Sequence, residues 1–380
     1  MIYFDNSATT RPLDEVIQTY IKVSKDFFGN PSSLHTLGME AQVLLDKARK
    51  MLADQLQVKT KEIVFTSGGT EGNNLAIKGT AFARKNRGGH FITSMVEHAA
   101  SYETFLELER QGYEVTYLGV DNNGQISLDD LEKAIRPDTI LISLIHVNNE
   151  TGAIQPIEAV SNVLKHYPHV RFHVDHVQGA HKVPLNLAKL RIDFCTMSAH
   201  KFHGLKGTGL LYVKEGNRLG PLLHGGEQEL KLRAGTENVA GVVAMAKAYR
   251  LEKEKSSVGN QKLTKLKEKL INGLEVIDKV RVNTDVESSA PHIINFSVGH
   301  IKPEVLIQAL SKEKIYVSTK SACSSKLSEP SRILVAQGLD ENEASSGIRI
   351  SFSYENTEAE VDIVLSHLHK IIPDLLKVHG

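Results

Sequence analysis

Between residues 60 and 215, short apolar runs of strand type alternate with longer helical patterns. That alternation restricts the chain to an α/β architecture in which helices cover the faces of one sheet. The runs are EIVFTS, HFITSM, EVTYLGV, TILISLIHV, RFHVDHV, DFCTMS and GLLYV. Apolar residues at helical spacing over 33–56, and a helical pattern over 71–84 that opens after a Gly-Gly turn, place helices on either side of the first strand.

At 380 residues the chain exceeds what one compact core supports, so a large unit and a smaller one are expected. Around 250–275 the run LEKEKSSVGNQKLTKLKEKLINGL is rich in charge and spaces Leu263, Leu266, Leu270 and Leu274 on one helical face. The boundary is placed there, giving a large unit over 15–255 and a smaller α+β unit from 1–14 and 256–380. In the smaller unit, apolar runs near 290–298 and 346–352 precede a last helix from about Glu358. Thr357 and Glu360 suit its capping box, and Val361, Val364, Leu365, Leu368, Ile371 and Ile372 its buried face.

Lys+Arg and Asp+Glu both number 45, so no net charge draws the protein to nucleic acid or an anionic membrane. The opening MIYFDNSATT lacks the basic and apolar regions of a secretion signal, and no apolar stretch is long enough to span a bilayer, so a cytoplasmic location is expected. Two cysteines, Cys195 and Cys323, argue against a structural disulfide and are too few for a metal site of thiolates alone.

Four segments carry chemistry. In SAHKFHG, Lys201 occupies a polar turn between two strand runs, flanked by His200 and His203; positive charge nearby would favour the neutral amine that a Schiff base needs, although an ordinary exposed turn lysine is the competing reading. In IVFTSGGTEGNNLAI, Gly68-Gly69 and Thr70 sit where a strand passes into a helix, leaving backbone N–H groups free for a phosphate or merely starting the helix. In RFHVDHVQGA, Asp175 ends an apolar strand, where its carboxylate needs a helix cap, a salt bridge or a cofactor's protonated pyridine nitrogen. HVNNETG presents Asn148 and Asn149 at another strand end, the ligand-binding edge of open α/β sheets.

In this order along one α/β unit, the segments resemble the fold-type I pyridoxal-phosphate enzymes of aminotransferase class V, and among them the cysteine desulfurases of the first group. The likeness runs through YFDNSATT, FGNPSSLH, FTSGGTEGNNLAIKG, VEH, HVNNETG, VDHVQ, SAHKFHG, AGTEN, SACSS and GIRIS. It implies a large domain with a mixed, mostly parallel seven-stranded sheet, a smaller α+β domain, and bound pyridoxal 5'-phosphate. By the same resemblance Lys201 holds the cofactor covalently, while Gly69, Thr70, Ser198 and His200 hold its phosphate. Thr236 reaches the phosphate in the neighbouring subunit of a homodimer. His98 stacks on the ring and moves protons, Asp175 takes the pyridine nitrogen, and Gln178 takes the ring hydroxyl side. Asn149 and Arg349 hold the substrate carboxylate, a task suited to a guanidinium fork.

Cys323 lies in VSTKSACSSKLSEPSRIL, whose small and polar residues predict an exposed thiol on a mobile loop, whereas Cys195 in DFCTM reads as an inert core residue. The resemblance makes Cys323 the nucleophile that takes sulfur from L-cysteine as a persulfide, leaving L-alanine. It implies delivery of that sulfur to an acceptor protein, a tRNA thiolase or an iron–sulfur scaffold, with iron–sulfur contact only in passing through the persulfide. No direct binding of nucleic acid or membrane is implied. The sequence departs from the family pattern at Lys320, in place of a glycine before SAC. In HGGEQELKLRAGT, Glu227 replaces a glycine, and Leu230 and Lys231 replace an arginine and a glycine. A selenocysteine lyase or a class V aminotransferase would share the cofactor residues without requiring Cys323, and a non-catalytic scaffold would need none of the five residues Lys201, Asp175, His98, Cys323 and Arg349.

Overall fold

The computed structural model describes residues 1–85, 88–299, 301–319 and 330–379. Strand β1 (Ile2–Tyr3) is followed by helices α1 (Asp14–Asp26) and α2 (Thr36–Leu56). The seven apolar runs then form strands in sequence with intervening helices: β2 (Ile63–Thr66), α3 (Gly69–Arg84), β3 (His90–Ser94), α4 (Ala99–Arg110), β4 (Glu114–Leu118), α5 (Leu128–Ala134), β5 (Thr139–Ile145), α6 (Ile157–Val163), β6 (Arg171–Asp175), β7 (Phe194–Ser198) and β8 (Gly209–Val213).

These strands make one sheet in the order β2-β8-β7-β6-β5-β3-β4. Neighbours from β7 through β4 run parallel, and β8 is antiparallel to both β2 and β7. Apolar side chains cover both faces. One cluster contains Leu45, Ile142, Phe172, Val174 and Met197, and another Val64, Leu75, Phe91, Phe105 and Phe194. Burial on both faces explains why a central strand such as β5, apolar at Ile140, Leu141, Ile142, Leu144 and Ile145, shows no alternation of apolar and exposed polar residues.

Helix α7 (Val239–Glu275) follows, then β9 (Val280–Val282), β10 (Ile293–Val298), α8 (Pro303–Lys312), β11 (Ile315–Tyr316), α9 (Arg332–Ala336), α10 (Glu341–Ser345), β12 (Gly347–Ser351) and α11 (Glu358–His379). The charge-rich run at 250–275 is therefore the second half of a single 37-residue helix. Its Val242–Tyr249 end packs in the sheet's core. Its Leu263, Leu266, Leu270 and Leu274 pack with Phe296, Ile350, Val361, Val364, Leu368 and Ile372 in a second core. In that second core β10 lies between β12 and β9, antiparallel to both, and β1 pairs with β11. The capping box at the start of α11 is present: the Thr357 N–H donates to Glu360 (2.9 Å) and the Glu360 N–H to the Thr357 hydroxyl (3.3 Å).

A buried polar strut ties the two cores. Lys182 Nζ lies 3.4 Å from Glu252 of α7 and 3.4 Å from the centroid of the Tyr354 ring. The Tyr354 hydroxyl donates to the carbonyl of His181 (2.9 Å). Gly259 of α7 faces the same ring so closely that a Cβ there would fall 2.4 Å from Tyr354 Cδ1. Among the described residues no helix is long and apolar enough to cross a membrane.

Candidate active site

The carboxyl ends of the parallel strands open onto a pocket of about 210 Å³, where α/β sheets of this kind place ligands. Four of these strands, β3, β5, β6 and β7, deliver side chains at or just beyond their ends. His98 follows β3 as the N-cap of α4, Asn149 follows β5, Asp175 ends β6 with Gln178 just beyond, and Ser198 ends β7 with His200 and Lys201 in the next turn. Gly69 and Thr70 open α3 on the same pocket, and Arg349 reaches it from β12 in the second core.

Gly69, Thr70, His98, Asn149, Asp175, Gln178, Ser198, His200, Lys201 and Arg349 thus line one cavity. Thr236 is exposed and does not line it. Cys323 and Lys320 lie outside the described residues. Cys195 is fully buried in β7, and burial pushes its thiol well up, as befits a core residue.

Asp175 is buried and accepts two hydrogen bonds from neutral groups, the Asn73 amide (2.6 Å to Oδ2) and the Val177 N–H (3.0 Å to Oδ1). A cationic ring nitrogen in the pocket would meet this carboxylate as its counter-ion. Lys201 Nζ donates to the carbonyls of Ser7 and Ala8, the latter at 2.8 Å, and Gln178 Nε2 donates to the Ser7 carbonyl at 2.9 Å. The N-terminal segment therefore forms a wall of the site through its backbone.

His98 Nδ1 accepts the Ala100 N–H (3.1 Å), so the neutral ring carries its proton on Nε2. Burial lowers its pKa and keeps it neutral. Burial, reinforced by Lys201, also pushes His200 down to about 4. His203, the other imidazole near Lys201 in sequence, is turned away: its Nδ1 meets the Arg11 carbonyl at 2.7 Å, and it too is lowered by burial. The expected positive charge around Lys201 does not come from these rings, because both are held neutral.

At the opposite core, Arg349 is 1% exposed. Its Nη1 donates to the Asn149 carbonyl and its Nη2 to Asp5 Oδ1, each at 2.9 Å. Four polar atoms of pocket-lining residues are buried with no partner among the described residues: Ser7 Oγ, Asn73 Oδ1, Asn149 Oδ1 and Arg349 Nε. Buried polar atoms are seldom left so, and four in one cavity mark a place for a polar ligand.

The pocket's donor set fits pyridoxal phosphate. The first N–H groups of α3 have no acceptor within the helix, and the Thr70 and Ser198 hydroxyls and His200 stand near them, as a phosphate requires. The cradle is tight: a Cβ on Gly69 would lie 3.0 Å from Val177 Cγ2, and Gly68 has φ +152°. Asn73, Ser7 and Ala8 are site residues that carried no role in the sequence reading. Asn73 was within reach of that reading, since it lies one turn beyond Gly69 on the same helix face. Ser7 and Ala8 contribute main-chain carbonyls, which no side-chain pattern reveals.

Comparison with known proteins points the same way. The sequence profile of the family described as aminotransferase class-V matches residues 2–364. The NifS/IcsS protein homolog of Lactobacillus delbrueckii subsp. bulgaricus is 45% identical over 385 residues, covering 100% of this chain and 99% of that one. The cysteine desulfurase IscS of Methanosarcina thermophila is 44% identical over 98% of this chain and 92% of its own. A solved NifS-like protein superposes with a TM-score of 0.93 at 39% identity, covering 98% of this chain and all of that chain.

Proposed function

Because this chain belongs to the aminotransferase class-V family, we propose that it is a pyridoxal-phosphate-dependent cysteine desulfurase, converting L-cysteine to L-alanine and collecting the sulfur as a persulfide on Cys323. The observation that carries the reading is the convergence of Lys201, Asp175, His98 and Arg349 on one pocket whose lining includes four buried polar atoms without partners.

Pyridoxal phosphate supplies an electron sink that weakens bonds at the substrate's α-carbon and beyond. Lys201 would hold it through its amine, while Gly69, Thr70, Ser198 and His200 would hold the phosphate. Asp175, oriented by Asn73 and the Val177 N–H, would serve as counter-ion to the ring nitrogen, and Gln178 would hold the ring hydroxyl side. His98, with Nδ1 tied to the Ala100 N–H, offers or withdraws a proton at Nε2 beside the reacting atoms. Arg349 and Asn149 take the substrate carboxylate through the Arg349 Nε and the Asn149 side chain. The Cys323 thiolate would attack the substrate sulfur and break its bond to the β-carbon, which keeps the electron pair and takes up a proton to give alanine while the sulfur stays on Cys323 as the persulfide.

The same reading divides the chain into a large unit, 15–255, which bears the cofactor, and a smaller one, 1–14 with 256–380, which brings Arg349. It includes a homodimer in which Thr236 completes the partner's phosphate site. The exposed Phe28, Leu34, Met39 and Val43, around the start of α2, support a covered face there. A cytoplasmic location and sulfur delivery to an acceptor for tRNA thiolation, iron–sulfur assembly or another thio-cofactor complete it.

The test is alanine and sulfide release from L-cysteine with reductant and added cofactor, in wild type, Cys323→Ala and Lys201→Ala. Both variants are expected to lose activity while Cys323→Ala keeps the cofactor's colour. Full desulfuration by Cys323→Ala would move the protein to a lyase or aminotransferase reading.

A further inference from the structure

The backbone around Asp5 is stitched to β12 independently of its side chain. Asp5 and Ser351 form a bridge, the Ser351 N–H donates to the Phe4 carbonyl (2.7 Å), and the Ser7 N–H donates to the Ser351 hydroxyl (2.8 Å). This places the Asp5 carboxylate against Arg349, two residues from Ser351 on the same strand. The ion pair is one-sided: the Arg349 side chain is 1% exposed and that of Asp5 is 21% exposed. With Nη1 on the Asn149 carbonyl and Nη2 on Asp5, the guanidinium keeps its plane fixed and leaves Nε buried without a partner, toward a cavity that it lines.

A fully buried guanidinium with no counter-charge would be costly, and it would bind any carboxylate tightly. Substrate and product of the proposed reaction, L-cysteine and L-alanine, carry the same carboxylate. Tight binding at that end would therefore hold both equally and add nothing to the rate while delaying product release.

We infer that Asp5 is a positioning residue which orients Arg349 and half-neutralises it, setting the carboxylate site to a moderate affinity that lets alanine leave. The inference rests on the reading of Arg349 as the holder of the substrate carboxylate. Asp5→Asn isolates the charge, because the amide oxygen still accepts the Nη2 hydrogen bond and the backbone stitching stays. Removing a negative charge from the neighbourhood of the bound carboxylate tightens its binding about fivefold or more.

The experiment titrates the cofactor-loaded enzyme with L-alanine, following cofactor absorbance, alongside kcat and KM for L-cysteine. Asp5→Asn is expected to lower the alanine Kd and the cysteine KM about fivefold, with a reduced kcat, and Asp5→Glu is expected to stay near wild type. An alanine Kd that is unchanged or weaker in Asp5→Asn, while Arg349→Gln weakens alanine binding, overturns the role of Asp5 alone. If Arg349→Gln leaves alanine binding unchanged, the reading of the carboxylate site itself falls.

Discussion

Acid should weaken this protein already in the range where imidazoles titrate, because several of them are buried in neutral form. His173 is fully buried in β6 between the hydroxyls of Ser143 (2.8 Å) and Thr196 (2.9 Å), and burial pushes it down to about 3. His146, stacked on His176 with their Nδ1 atoms 2.8 Å apart, is pushed by burial to about 4, and His181 is pushed by burial to about 3. In the unfolded chain all three regain the ordinary value of 6.5. Their folded values lie below the unfolded one, so the stability they contribute is present above about pH 6.5 and is lost as the pH falls toward 4. From about pH 7 to about pH 5 each histidine removes about 2 kcal/mol. Glu97 acts in the opposite sense: burial pushes its carboxyl up to about 8, so it is protonated in the native state and returns about 2 kcal/mol as the pH drops. The net loss is on the order of 4 kcal/mol, and His176, His203 and His292, also lowered by burial, add to it. Urea unfolding followed by circular dichroism at about pH 7 and about pH 5 measures this directly. His173→Gln should flatten the dependence by about 1 kcal/mol per pH unit over this interval. Equal or greater stability at the lower pH would refute the claim that these rings are held neutral by burial.

Two further outcomes follow from packing and backbone. Glu252→Gln strands the Lys182 ammonium in the strut between the cores and should cost about 3 kcal/mol of unfolding free energy, while Lys182→Met with Glu252→Leu recovers most of it; a single variant as stable as wild type contradicts the strut. Lys231 has φ 64°, in the left-handed region that favours glycine, and its ion pair with Glu227 is solvent-exposed. Lys231→Gly should therefore gain about 1 kcal/mol in denaturant unfolding and Lys231→Ala nothing, equal effects of the two arguing against backbone strain.

The sheet was legible because buried parallel strands are written as predominantly apolar runs between turn residues, and the site because strand ends carry its polar side chains in chain order. Features that depend on pairing across the chain were not. The partners of His173, Ser143 and Thr196, come from neighbouring strands and meet it only in one register. The Lys182–Glu252 pair joins residues 70 positions apart. The two-residue strands β1 and β11 are too short to leave a pattern. The charge-rich stretch at 250–275 marks a change of composition within one continuous helix, whose solvent-facing side supplies the charge and whose leucines join the second core, and composition alone does not show that continuity.

The central claim, that the chain's own Cys323 receives the substrate sulfur, is tested most directly by mass spectrometry of the protein after brief exposure to L-cysteine without reductant. The mass of added sulfur is expected on the peptide containing Cys323, none on the one containing Cys195, and none on either in Lys201→Ala. Alanine formed in full with no sulfur on Cys323, or sulfur appearing there in the Lys201→Ala protein, would contradict it.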